Sequence, residues 1–188
     1  VVLVVGAGDA IGAAICRRFD AAGFRVVAAR RNADRLAPLL EEAERERWSV
    51  RAVACDARDE DQVTRLFATV EAEEGPVLVA VFNVGANVPM SVLDTDSRRF
   101  RKIWEMACFA GFLTGREAAR YMLPRRRGTI IFTGATASTR GAAGFLGGVE
   151  LCVKCGECLG WVGLGRHFSQ FSDPCEEFAI ALVQLPLI

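Results

Sequence analysis

The stretch Val1-Val2-Leu3-Val4-Val5-Gly6-Ala7-Gly8-Asp9-Ala10-Ile11-Gly12, continuing into Ala13-Ala14-Ile15-Cys16-Arg17-Arg18-Phe19, decides the fold of this chain. Its opening residues form a Val-rich apolar run of strand length, the pattern of a strand buried on both faces of a sheet. The run stops on a glycine-rich turn and resumes at helical spacing, so it reads as strand, loop and helix. Glycines in such a turn let the backbone approach a pyrophosphate, whose charge then sits against the N–H groups and positive dipole end of the helix. The alternative is a buried strand followed by an ordinary turn, because a lone glycine pattern has many false positives.

Working outward, Gly23 closes the first helix and Phe24–Ala29 reads as a second strand, followed at once by Arg30, Arg31 and Asn32. Residues Asp34–Arg47 are charged and Leu-spaced, a surface helix with Pro38 near its start. Ser49–Asp56 is a third strand ending on a carboxylate, and Asp59 is placed to cap a helix in which Val63, Leu66, Phe67 and Val70 recur at helical spacing. Val77–Asn83 is a fourth strand, Ser97–Met122 a long helix and Gly128–Gly134 a fifth strand. Apolar strands alternating with helices specify an α/β fold in which a parallel sheet is covered on both faces. Right-handed crossovers make it doubly wound, with a ligand crevice at the carboxyl ends of the strands. Gly6 to Gly12, Arg30 and Arg31, Asp56, Asn83 to Asn87, and Thr133 to Ser138 converge there.

A chain of 188 residues is long enough for one domain with a substantial core. Its 23 basic and 23 acidic residues leave no net charge, so neither nucleic acid nor an anionic membrane is indicated as a partner. Arg125-Arg126-Arg127, between Pro124 and Gly128, reads as a solvated loop. No run approaches the roughly 18 apolar residues of a membrane span, and no basic segment precedes Val1–Val5. Seven cysteines, an odd number in an α/β pattern, favour reduced thiols and a cytoplasmic setting. Val1 opens inside a strand without a Met, which reads as a fragment or a trimmed reading frame.

With these segments placed, residues 1 to about 145 resemble the short-chain dehydrogenase/reductase family. The resemblance implies a Rossmann-like doubly wound parallel sheet in three α/β/α layers, with the C-terminal part incomplete. The family loop G-x-x-x-G-x-G finds Gly6, Ala10 and Gly12 here, the middle glycine replaced by alanine. Asp56 matches the carboxylate that contacts the adenine ring, and Asn83-Val84-Gly85 matches the N-A-G signature after strand four. The cofactor-binding set implied is Gly6, Gly8, Asp9, Ala10, Ile11, Gly12, Arg30, Arg31, Asp56, Asn83 and Gly85. Strand two ends in Arg30-Arg31 with no carboxylate until Asp34, and guanidinium groups fork onto phosphate oxygens. NADP(H) is therefore favoured over NAD(H). Asp9 argues the other way, since NADP-preferring relatives often carry a basic residue there, and the arginine pair also reads as a solvated helix entry.

The resemblance further implies a proton-relay Tyr, a Lys four residues later, a Ser and an Asn, since a phenol of pKa about 10 is a poor base until an ammonium stabilises its phenolate. In the register set by Thr133–Gly141 the Ser, Tyr, Lys and Asn positions fall on Ala135, Gly148, Cys152 and Ala107. The only tyrosine, Tyr121, lies on the long helix, so the catalytic residues are unknown. Thr133, Thr136 and Ser138 offer hydroxyls, though such groups serve more often as caps or turn residues. Residues 146–188 form an atypical Gly/Cys-rich tail, expected to be poorly ordered and to reflect a changed reading frame. Cys152, Cys155 and Cys158, with His167 and Cys175 downstream, have ligand types for zinc or an iron–sulfur cluster, but incidental thiols are the favoured reading and no metal is assigned. Two functions stay open: an NADP(H)-dependent oxidoreductase acting on a small carbonyl or alcohol, in an incomplete or divergent copy, and a catalytically inert NADP(H)-binding protein. A homo-oligomer through helix 97–122 is implied, with Trp104, Phe109 and Phe112 either contributing to it or facing the sheet.

Overall fold

Residues 1–85, 93–135, 168–172 and 178–184 are described by the computed structural model, the last two segments by their backbone. The chain runs β1 (Val2–Val5), α1 (Ile11–Asp20), β2 (Val26–Arg30), a 3-10 turn (Ala33–Leu36), α2 (Ala37–Glu46), β3 (Val50–Ala54), α3 (Glu60–Glu73) and β4 (Val79–Phe82). It continues through α4 (Ser97–Trp104), a π-helical turn (Glu105–Phe109), α5 (Ala110–Arg125), β5 (Thr129–Ala135), β6 (Phe168–Ser172) and β7 (Phe178–Gln184). The sheet order is β3-β2-β1-β4-β5-β7-β6, and the first five of these strands run parallel. The strand order reverses between β1 and β4, which opens a crevice at their carboxyl ends.

The opening apolar run is buried because it serves two cores at once. Successive side chains of a strand point to opposite faces. Leu3 and Val5 pack with Phe67, Val70, Leu113 and Met122 from α3 and α5, whereas Val2 and Val4 pack with Cys16, Leu36 and Leu39 on the side of α1 and α2. All four β1 residues are buried. The α3 start is as read from the sequence: Asp59 accepts the Gln62 N–H at 3.0 Å, and Val63, Leu66, Phe67 and Val70 face inward. Arg125 ends α5, while Arg126 closes it in the left-handed conformation at φ 52°. All three arginines of that run are exposed.

Two features depart from the sequence reading. The long helix is interrupted by the π-helical turn at Glu105–Phe109, the wider coil that often marks functional stretches of helices. The tail also adds to the sheet: β7 pairs antiparallel with β5, and β6 pairs antiparallel with β7. Only five residues separate β6 from β7, enough for antiparallel neighbours and too few for a parallel crossover. Thr136, Ser138, Gly148 and the tail cysteines lie outside the described residues, as do positions 86–92. Among the described residues, no helix is long and apolar enough to cross a membrane.

Candidate functional site

The crevice at the strand ends has a volume of about 500 Å³ and is lined from four loops, those following β1, β2, β3 and β4. The β1 loop is possible only with glycine at two places. Gly6 has φ +88°, and a Cβ there would lie 2.7 Å from the Asn83 carbonyl carbon and oxygen. A Cβ on Gly12 would lie 2.7 Å from Ala7 Cα, so this glycine lets α1 sit directly against the loop. Gly8 borders the crevice with open space where a Cβ would project. Ala10, the residue in place of the middle glycine, is exposed and has φ −107°, so its methyl group needs no left-handed backbone. Ile11 begins α1 and is 36% exposed. No side chain caps α1, and the first N–H groups of any helix lack intrahelical acceptors.

Asn83 holds β1, β4 and β5 in register at the crevice floor. Its Nδ2 donates to the Gly6 carbonyl at 3.0 Å and its backbone N–H to the Val5 carbonyl at 2.8 Å. Its Oδ1 accepts from the Thr133 hydroxyl at 2.8 Å. The Thr133 hydroxyl is thus a structural group. Gly85 and Val84 complete this side, together with Met106 from the π-helical turn. Ala107, in the position expected for the relay Asn, is buried next to it. Tyr121 does not line the crevice: its ring stacks on Phe67 of α3 with centroids 6.3 Å apart.

The other side is dominated by charge. Arg30, Arg31, Arg35 and Arg58 all line the crevice, with Asn32 and Asp56 among them. Arg30 Nη1 donates to Asp9 Oδ1 at 2.7 Å and to the Arg35 carbonyl at 3.2 Å. Asp56 is gripped by Arg58, whose Nη2 and Nε donate to its two carboxylate oxygens at 2.6 and 3.0 Å, while the Arg58 backbone N–H also donates to it. Hydrogen bonding from Arg58 holds the Asp56 carboxyl below its ordinary range, against the opposing effect of burial, and the Arg31 charge acts in the same direction. Cys55 also borders the crevice, and burial pushes its thiol up to about 11, which leaves it protonated and unreactive at neutral pH.

Of the residues singled out in the sequence, Gly6, Gly8, Arg30, Arg31, Asp56, Asn83 and Gly85 line the crevice. Gly12 shapes it from behind, Asp9 reaches it through Arg30, and Ala10 and Ile11 lie at the start of α1. Arg35, Arg58 and Met106 were missed. Arg58 follows Asp56 by two positions, a local signal within reach of inspection; Arg35 and Met106 are brought in by turns whose geometry no motif announces. Among the described residues, no group of His, Cys, Asp and Glu side chains is arranged to hold a metal.

The family model for short chain dehydrogenase matches residues 1–147. The 3-oxoacyl-[acyl-carrier-protein] reductase MabA of Mycobacterium tuberculosis is 30% identical over 140 residues, 74% of this chain and 52% of that protein. (+)-Borneol dehydrogenase 1 of Salvia officinalis is 33% identical over 141 residues, 74% of this chain and 53% of its own length. The chain therefore spans about half the length of these relatives. A solved short-chain dehydrogenase from Rhodopseudomonas palustris is 47% identical, superposes with a TM-score of 0.78, and is matched over 85% of this chain and 76% of its own. The five parallel strands, the glycine loop, Asp56 and the Asn83 bridge fall within the matched region, and the chain belongs to the short-chain dehydrogenase family.

Proposed function

We propose that the chain is a short-chain-type oxidoreductase that holds NADP(H) in preference to NAD(H) and acts on a small carbonyl or alcohol. The observation that carries the cofactor reading is the cluster of Arg30, Arg31, Arg35 and Arg58 in the crevice that the glycine loop also lines. Gly6 and Gly12 clear the approach for a pyrophosphate, and the uncapped start of α1 offers it N–H groups. Arg31 meets the 2'-phosphate, and Asp56, kept ionised by Arg58, accepts from the adenine amino group. Asn83 and Gly85 border the nicotinamide end. The dinucleotide, when bound, supplies or accepts the hydride. The chain fixes its position, and the bond from Thr133 through Asn83 to Gly6 keeps the floor from moving.

A second reading, an inert NADP(H)-binding protein, is favoured by one observation: Tyr121 stacks on Phe67 and Ala107 occupies the expected Asn position, so neither provides a proton route. Fluorescence titration of the purified chain with NADPH, followed by assay against a panel of aldehydes and ketones, separates the two. Binding with turnover supports the oxidoreductase; binding without turnover supports the inert reading; no binding of either dinucleotide defeats both. We further propose that a second copy docks on the half-buried ladder of Trp104, Phe109 and Phe112, whose neighbouring rings stack at 5.7 and 6.4 Å, with Arg116 over the Phe112 ring at 5.4 Å. Sedimentation analysis of a Phe112→Asp variant should then show a smaller species than the unaltered chain.

A further inference from the structure

The two guanidinium groups at the end of β2 differ in availability. Arg30 has a partner: its Nη1 bonds Asp9 Oδ1 and the Arg35 carbonyl, and its side chain is 20% exposed against 77% for Asp9. Arg31 is exposed, lines the same crevice and forms no ion pair within 4.0 Å with any described residue. Asp9 belongs to the glycine loop after β1, so the pair ties that loop to the end of β2.

We infer that Asp9 is an internal competitor of the 2'-phosphate for Arg30. This rests on the cofactor reading above and goes beyond it by giving the adjacent arginines unequal roles. A dianionic phosphate entering beside Arg31 finds the Arg30 Nη1 already committed to Asp9, so full engagement of that guanidinium displaces the carboxylate, which then stays next to the phosphate. An exposed ion pair resists displacement by no more than about fivefold in an equilibrium constant, and a charge-assisted bond to phosphate exceeds that. The exchange is therefore feasible and reduces selectivity. Arg31 carries most of the discrimination between the phosphorylated and unphosphorylated dinucleotides, and Asp9 keeps the crevice tolerant of both.

The test is to measure Kd for NADPH and for NADH on the full 188-residue chain, unaltered and as D9N, R30Q, D9N/R30Q and R31Q, with circular dichroism confirming that each is folded. D9N should raise the preference for NADPH by about three- to tenfold at low salt, and the gain should shrink at high salt as the charges are screened. R30Q alone should change the preference by less than about twofold, yet should cancel the gain when added to D9N, a coupling that a double-mutant cycle reads directly. R31Q should remove most of the preference. If D9N weakens both dinucleotides alike or shifts neither, Asp9 only ties the loop and the inference falls while the cofactor reading stands. If R30Q alone removes the preference, the inference also falls. If the unaltered chain binds neither dinucleotide, the cofactor reading itself fails and takes the inference with it.

Discussion

On the β2–β3 side of the crevice, four arginines and a carboxylate converge from segments following two strands; Arg58 is paired with Asp56 and Arg30 with Asp9, while Arg31 is exposed and forms no ion pair with a described residue. On the β4–β5 side, the described polar groups are spent on one another: Thr133 donates to Asn83, Asn83 donates to Gly6, and Met106 and Ala107 fill the helix side with apolar surface. One side is equipped to bind a polyanion and the other to stay rigid. The difference teaches that charge set at strand ends is legible as local sequence, whereas the bridge from Thr133 through Asn83 to Gly6 joins three separate segments. Here the positions expected for the relay Asn and Tyr hold Ala107 and Gly148, the latter outside the described residues.

The largest effect should come from the loop both sides share. Gly6→Ala forces a Cβ to within 2.7 Å of the Asn83 backbone at φ +88°, a strain costing at least about 2 kcal/mol. Melting should fall by about 4–8 °C for a chain of this size, with dinucleotide binding lost together with it. A variant that melts with the unaltered chain would break the claim that loop and β4 are in forced contact.

Next is the rigid side. Asn83→Ala removes two side-chain hydrogen bonds, leaving the Gly6 carbonyl without its side-chain donor and the Thr133 hydroxyl with only its 3.3 Å bond to the Phe82 carbonyl, a cost of about 1–3 kcal/mol. Thr133→Val removes only one of them and should cost about 1 kcal/mol. Chemical denaturation of both variants checks the order; a reversed order would mean that Asn83 is not the hub.

The charged side should show itself in acid. The Asp56 carboxyl lies below its ordinary 3.8 in the folded chain, chiefly through hydrogen bonding from Arg58. A group whose folded pKa is depressed contributes stability above its unfolded pKa and loses it as pH falls through the folded value. Melting followed from about pH 5 to 2 should therefore fall less steeply in Arg58→Gln than in the unaltered chain. Equal slopes would show that the ion pair is too well hydrated to matter. The smallest effect is expected at Gly8→Ala. Nothing lies within 4 Å of the added methyl, and restricting the unfolded chain gives up to about 1 kcal/mol of stabilisation. A marked loss would contradict the open space at the loop tip.

The sequence made β1, the glycine loop and α1 legible because an apolar run ending on glycines has few structural solutions, and the two-face burial of Val2 to Val5 follows from alternation alone. Asp59 was readable as a cap because capping is local. The positions of Arg30, Arg31, Asp56 and Asn83 along the crevice were legible in the same way, each at a strand end or within two residues of one. What could not be read depends on distance or on backbone detail. The Asp9–Arg30 pair joins residues 21 apart, and the π-helical turn that carries Met106 to the crevice has no sequence marker comparable to a proline. The antiparallel pairing of β7 with β5 escaped because a Gly/Cys-rich tail lacks the strand–helix alternation that announces the rest of the sheet.

The arginine side of the crevice is proposed to receive a dinucleotide bearing a 2'-phosphate. The most direct test of this is calorimetric titration of NADPH and NADH into the unaltered chain and into R31Q. Saturable binding at one site is expected, tighter for NADPH than for NADH, with that preference largely lost in R31Q. Saturable binding that is equal for the two dinucleotides, or a preference that survives in R31Q, would contradict it.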